Sequence, residues 1–159
     1  MKEFLFLILI VIANFIILKF GKTGVYINAL LILPLDILLR DFIHEEWKDK
    51  SNLWFRFIIL FLIGGALTYL INADALLIAV ASTISFLCSN ITDTFIYSKL
   101  HKESKFIKMS VSNFFSVSVD TVIFIGIVFG FNYSLMFFQF ILKFLLTLIF
   151  VTIYVKHNN

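Results

Sequence analysis

Apolar residues run through this chain in long blocks that are separated by short polar segments. Six blocks approach the length of a membrane-spanning helix, which needs about 20 mostly apolar residues. They cover residues 4–20, 24–39, 53–71, 75–98, 106–130 and 133–155. The second block is the weakest, because it is short and contains Pro34 and Asp36. The pattern predicts an all-α integral membrane protein, a bundle of six transmembrane helices that forms a single domain over residues 1–159.

The composition agrees with a chain that is surrounded by lipid. Of its 159 residues, 61% are hydrophobic and only 14% are charged, whereas an average soluble domain has about 25% charged residues. The net charge is only +3, and the positive residues are spread over short loops. The sequence predicts no soluble domain that could present a basic patch. For this reason we expect no nucleic-acid partner. We therefore expect a multi-pass protein of the cell membrane, inner or plasma, with the lipid bilayer as its surroundings.

The positions of lysine and arginine predict which ends of the spans face the cytoplasm, where these residues are enriched in short loops. The connections 72–74 and 131–132 carry no positive charge. The loop after the fourth span carries four lysines, Lys99, Lys102, Lys105 and Lys108. Both termini are therefore expected in the cytoplasm. The first block lacks a small-x-small cleavage site and is expected to be retained as a span.

Polar side chains recur on the last three spans at three- and four-residue spacings, which place them on one face of each helix. A charge at mid-membrane costs roughly 2.5–3.5 kcal/mol on insertion scales, so it requires a partner or a function. We expect these faces to share one interior, with Asp120 and Lys143 in contact near mid-membrane. The residues are Ser82, Ser85, Ser89, Thr92 and Asp93, then Ser112, Ser116 and Asp120, and finally Gln139 and Lys143.

These polar residues also have structural interpretations. Serines on small-residue faces commonly pack helices together, and Asp120 and Lys143 can form a buried ion pair without binding a ligand. Asp36 and Arg40, four residues apart, can be a helix-end pair at the membrane interface.

Enzyme signatures are missing from the sequence. The segment that begins at His44-Glu45-Glu46 lacks the second histidine of a zinc-protease helix. There is no phosphate-binding loop, no serine elbow and no metal-binding cluster of residues. We expect a protein that is not an enzyme and that uses no metal and no cofactor.

Five motifs carry a resemblance to a known family. They are Asp36-Ile-Leu-Leu-Arg40, Ala81-Ser-Thr-Ile-Ser-Phe86, Asn90-Ile-Thr-Asp93, Ser110-Val-Ser-Asn-Phe-Phe-Ser116-Val-Ser-Val-Asp120-Thr121-Val-Ile-Phe124 and Gln139-Phe-Ile-Leu-Lys143. Through them the chain resembles the queuosine precursor transporters, a group also labelled VUT and related to the substrate-binding subunits of energy-coupling-factor vitamin transporters. The resemblance implies an importer of 7-cyano-7-deazaguanine or its aminomethyl form, which serve tRNA modification.

The chemistry of such a base fits the polar residues of these motifs. A guanine-like edge presents two parallel N–H donors, which one carboxylate can accept in bidentate fashion. Its carbonyl needs an amide or hydroxyl donor, and its flat ring favours aromatic faces such as those of Phe114, Phe115 or Phe124. The predicted substrate-binding residues are Asp36, Arg40, Ser89, Asn90, Asp93, Ser116, Asp120, Phe124, Gln139 and Lys143.

Two other functions stay open. One is a vitamin-binding subunit of the energy-coupling-factor type, which needs partner ATPases. That resemblance implies alanines spaced four apart on the first span, where the chain has only Ala13. The other is a non-transporting membrane scaffold or pore protein, which predicts no saturable ligand binding. The oligomeric state is also open, with a homodimer as one alternative.

Overall fold

A computed structural model of the chain describes residues 2–32, Leu35, Leu39, Ile43 and 53–157. Within these residues the chain is helical, and no β-strand is present. A π-helical turn, Asn28–Ile32, follows the second helix, and a 3-10 turn, Ala73–Ala75, precedes the fourth. The α-helices are α1 (Lys2–Phe20), α2 (Lys22–Ile27), α3 (Leu53–Ile71), α4 (Leu76–Lys99), α5 (Lys105–Phe129) and α6 (Tyr133–His157).

Four of the described helices have the length and the surface of membrane spans. In the described part of the chain, α1, α4, α5 and α6 are each long and apolar enough to cross a membrane, and α3 contains a shorter apolar stretch. Phe131 and Phe137 are 71% and 70% exposed, and many other large apolar side chains are also exposed. Such a surface is stable against lipid tails. The predicted fold class, an all-α membrane protein, is confirmed, whereas the cytoplasmic position of the termini stays a prediction.

The chain forms two compact units, Met1–Thr83 and Ile84–Asn159. In the first unit, α1 packs against α2 and α3. The amide of Asn14 donates to the hydroxyl of Thr68 at 3.1 Å, so a polar contact joins α1 to α3. A Cβ atom at Gly24 would lie 2.6 Å from the carbonyl oxygen of Ile16, and only glycine allows α2 to approach α1 this closely.

The second unit is built around the antiparallel pair of α5 and α6. The hydroxyl of Ser104 caps α5 by accepting a hydrogen bond from the backbone N–H of Ile107 at 3.3 Å. Gly130 ends α5 with a φ of 68°, a conformation that lets the chain reverse its direction and that glycine adopts without strain. The side chain of Asn132 accepts from the N–H of Leu135 at 3.1 Å and begins α6. These local signals position the two helices for side-by-side packing.

At the other end of α5, two lysines rest on tyrosine rings of the neighbouring helices. The ammonium of Lys105 lies 4.5 Å from the ring centroid of Tyr154 on α6. The ammonium of Lys108 lies 5.4 Å from the ring centroid of Tyr97 on α4. Each contact contributes about 0.5–1 kcal/mol at an exposed site. Together they tie α4, α5 and α6 at the end that carries the loop 100–104.

The length of α5 leads to a prediction about topology. Its 25 residues rise about 37 Å, so Lys102 and Asn132 should lie on opposite sides of the membrane. With Cys88 first replaced by serine, Asn132→Cys should react with a membrane-impermeant thiol reagent in intact cells. Lys102→Cys should react only after the membrane is opened. Labelling of both cysteines from the same side would contradict the six-span topology.

Candidate substrate-binding site

Asp120 and Lys143 form an ion pair between α5 and α6. The ammonium of Lys143 donates a hydrogen bond to the Oδ2 atom of Asp120. Lys143 is 8% exposed, and Asp120 is half-buried, so each charge is neutralised by the other where little solvent reaches it. The predicted contact between these two residues is confirmed. It places a cationic donor and an anionic acceptor side by side within a membrane helix pair.

The ion pair fixes the register of the two helices. Because α5 and α6 are antiparallel and rise equally per residue, the contact of 120 with 143 places 116 level with 147 and 124 level with 139. Residues four apart lie on one face of a helix. The buried side chains of α6 follow this spacing at Gln139, Lys143, Thr147 and Val151. The interface between the helices therefore contains a row of polar groups along α6.

Several buried oxygens in the second unit have no hydrogen-bond partner among the residues that the structure describes. They are Asp93 Oδ1, Ser110 Oγ, Thr121 Oγ1 and Gln139 Oε1. Gln139 is 5% exposed and Thr121 is 1% exposed. Unpartnered buried polar groups are rare in folded proteins and call for an explanation such as a bound water or ligand. Each of these oxygens can accept an N–H or O–H donor from such a ligand.

The predicted site residues of α4 are partly engaged within their own helix. The hydroxyl of Ser89 donates to the carbonyl of Phe86 at 3.0 Å, and the amide of Asn90 donates to the same carbonyl at 2.9 Å. In the described part of the chain, neither these two residues nor Asp93 forms a hydrogen bond to α5 or α6. The structure thus joins Asp120 with Lys143, but it does not join the α4 residues to them. Their place in the site stays a prediction.

The remaining predicted residues differ in what the structure says of them. Ser116 lies on α5 one turn before Asp120, and its hydroxyl donates to the carbonyl of Asn113 at 3.3 Å. Phe124, buried on α5, is level with Gln139. Asp36 and Arg40 lie outside the described residues. The second predicted span, residues 24–39, is described as far as residue 32, and beyond it only Leu35 and Leu39 are described.

An aromatic cluster borders the polar row. The ring of Phe114 lies 5.3 Å from the rings of both Phe140 and Phe144 in edge-to-face contacts. Phe140 and Phe144 are stacked at 5.8 Å. Each of these two directly follows a polar residue of the row, so its side chain is turned about 100° around α6. The prediction included Phe114 but missed Phe140 and Phe144, for which the only signal was this adjacency to Gln139 and Lys143.

The arrangement suits the binding of a polar molecule. Among the described residues, no group of three or more histidine, cysteine or acidic side chains could hold a metal ion. The polar row offers instead a cationic donor on Lys143 and an acceptor oxygen on Gln139, and α5 adds the carboxylate of Asp120, beside aromatic rings. Such a combination recognises a small ligand with several hydrogen-bonding groups and a flat apolar face.

Comparison with known families finds one family model that matches nearly the whole chain. A family model described as "Putative vitamin uptake transporter" matches residues 3–156. The matched range contains all six helices apart from the terminal residues of α1 and α6, and it contains every candidate site residue. No curated protein and no solved structure matches the chain.

Proposed function

The chain belongs to the vitamin uptake transporter family, and we propose that the molecule it imports is a queuosine precursor, a base of the 7-deazaguanine type. Membership of a transporter family indicates a membrane protein that moves a small molecule across lipid rather than one that transforms it. The proposal adds the identity of that molecule and the residues that bind it.

The observation that carries the proposal is the ion pair between Asp120 and Lys143. The edge of a guanine-like base presents a carbonyl acceptor beside two N–H donors. Lys143 can donate to the carbonyl while Asp120 accepts from the N–H groups. An ammonium has three donors and a carboxylate about four acceptor positions. The contact between the two side chains therefore leaves each of them with capacity for a ligand.

The unpartnered oxygens and the aromatic cluster support the same class of ligand. A 7-deazaguanine has N–H groups on both rings and on its exocyclic amine, so it has more donors than acceptors. Gln139 Oε1 and Asp93 Oδ1 need donors. The rings of Phe114, Phe140 and Phe144 offer aromatic faces for a flat base, and offset stacking on such rings contributes about 0.5–1.5 kcal/mol beyond area burial.

Uptake into a suitable bacterial strain tests the proposal. The strain should be unable to make the precursor and should lack its own importer, so that its tRNA contains no queuosine. Expression of this chain with the precursor in the medium is expected to restore queuosine in the tRNA, measured by mass spectrometry of the nucleosides. Cells with an empty vector are the control. If the chain is expressed and inserted in the membrane but the tRNA still lacks queuosine, the proposal is contradicted.

A second candidate function is a vitamin-binding subunit that works with a partner ATPase complex. The description of the matched family names vitamin uptake, which agrees with the substrate class of this alternative. Co-purification of a large transmembrane coupling subunit, together with ATP-dependent uptake of a vitamin, would place it ahead of the queuosine precursor.

A further inference from the structure

Thr121 differs from the other buried and half-buried threonines that the structure describes. In the described residues, every other threonine that is buried or half-buried donates its hydroxyl to the backbone carbonyl four residues earlier. The distances from hydroxyl to carbonyl oxygen are 2.9 Å for Thr68, Thr83 and Thr92 and 2.5 Å for Thr147. Thr121 is 1% exposed, yet its Oγ1 atom has no partner among the described residues.

This departure needs a cause, because a helical threonine normally has that carbonyl within reach. Its hydroxyl reaches the carbonyl by adopting one of its two common side-chain rotamers. Burial of an unpaired hydroxyl is unfavourable, and in a membrane the surrounding lipid cannot replace the missing bond. The orientation of Thr121 therefore leaves a hydrogen-bonding group free at a buried position.

The surroundings of Thr121 suggest what this free group is for. It directly follows Asp120, the partner of Lys143. It also lies three residues before Phe124, which is level with Gln139. The distance along the helix axis from Thr121 to the level of Gln139 is thus about 4.5 Å, which is less than one helical turn of about 5.4 Å. Gln139 carries the other unpartnered oxygen of the α5–α6 pair that is more than nine-tenths buried.

We propose that Thr121 is a substrate-binding residue, whose hydroxyl hydrogen-bonds the transported molecule beside the Asp120–Lys143 pair and together with Gln139. The inference rests on the proposed function in one respect, namely that the substrate binds at the interface of α5 and α6. The oxygen of Gln139 only accepts, whereas the hydroxyl of Thr121 both donates and accepts. The substrate must then offer an N–H or O–H group to Gln139, and Thr121 adds a contact that distinguishes substrates by the group they place next to it.

The test replaces Thr121 by valine, which has the same shape and lacks the hydroxyl. Uptake of labelled 7-aminomethyl-7-deazaguanine is expected to show a KM raised about tenfold. The melting temperature of the purified, ligand-free protein should be equal to or above that of the wild type, because an unpaired buried hydroxyl has been removed. Thr121→Ser, which keeps the hydroxyl, should restore the KM. Thr83→Val is the matched control, since it removes a hydroxyl bonded within its own helix and should leave the KM unchanged.

The two measurements separate this inference from the proposed function. Failure of the wild type to take up the labelled base would contradict the proposed function. Normal uptake by the wild type with an unchanged KM for Thr121→Val would overturn only the role of Thr121. The melting temperature tests, without any substrate, whether the hydroxyl of Thr121 is bonded within the protein. A lower value for ligand-free Thr121→Val than for the wild type would show that the hydroxyl is bonded within the protein, and it would overturn the inference.

Discussion

Replacement of Lys143 alone by methionine is expected to destabilise the protein more than replacement of both members of the ion pair, Lys143→Met with Asp120→Leu. The single change leaves a carboxylate without its counter-charge at a site that water hardly reaches. Breaking a buried pair in this way costs about 3–5 kcal/mol, whereas exchange of both partners for apolar residues is often neutral or stabilising. The same asymmetry should appear when Asp120→Leu is made alone.

A double-mutant cycle on the melting temperature in lipid nanodiscs measures this coupling. Lys105→Met is the control, because Lys105 lies at the start of α5, the helix of Asp120, is exposed, and places its ammonium over the ring of Tyr154. Its removal should change stability by no more than about 1 kcal/mol. If the effects of the two single changes at 120 and 143 simply add, the two charges are energetically independent and the pair does not anchor the α5–α6 interface.

The change Asp120→Asn is expected to lower the affinity for the substrate by more than about 100-fold. An amide offers one acceptor oxygen instead of two, and its N–H groups would face the N–H groups of the base. It also withdraws the negative charge that Lys143 contacts. The affinity can be measured by the binding of a labelled 7-deazaguanine to the purified protein. Ser82→Ala is the control, since the hydroxyl of Ser82 donates to Ala79 in its own helix, and it should bind almost normally.

Competition with unlabelled bases completes this measurement. Guanine-like bases should displace the labelled substrate, because they present the same edge. Adenine presents a donor and an acceptor there and would leave the carboxylate partly unsatisfied, so it should not compete. Sites built on such hydrogen bonds can discriminate by factors of roughly 10⁴–10⁵. Equal competition by adenine, or normal binding by Asp120→Asn, would mean that Asp120 has only a structural role.

The helices could be predicted because each apolar block is long and is bounded by polar or small residues. The block 133–155, for example, corresponds to α6, Tyr133–His157. The structure extends this helix by two residues, since Lys156 can continue it while its charge remains at the membrane surface. The π-helical turn at Asn28–Ile32 could not be predicted, because no hydrophobic period distinguishes it from an α-helix in so short a segment.

Of the candidate site, only the contact between its two charged residues could be predicted from the sequence and confirmed. Asp120 is the only acidic residue of the block 106–130, and Lys143 is the only charged residue of the block 133–155. The unfavourable burial of either charge therefore identified the other as its partner. The free hydroxyl of Thr121 depends on a side-chain rotamer, and the sequence carries no signal for it. The cluster of Phe114, Phe140 and Phe144 could not be recognised either, because the chain contains 21 phenylalanines and most of them suit contact with lipid equally well.

The lysines that rest on Tyr97 and Tyr154 have a consequence for how the ion pair is reached. Lysine and tyrosine are typical of the level at which a bilayer changes from lipid tails to headgroups. Asp120 lies 12 residues beyond Lys108, a rise of about 18 Å, within a hydrocarbon layer of about 30 Å. From that depth neither charge can snorkel to either surface. At that depth each charge is therefore balanced by the other, and a solute that reaches them from either surface crosses about half the thickness of the bilayer.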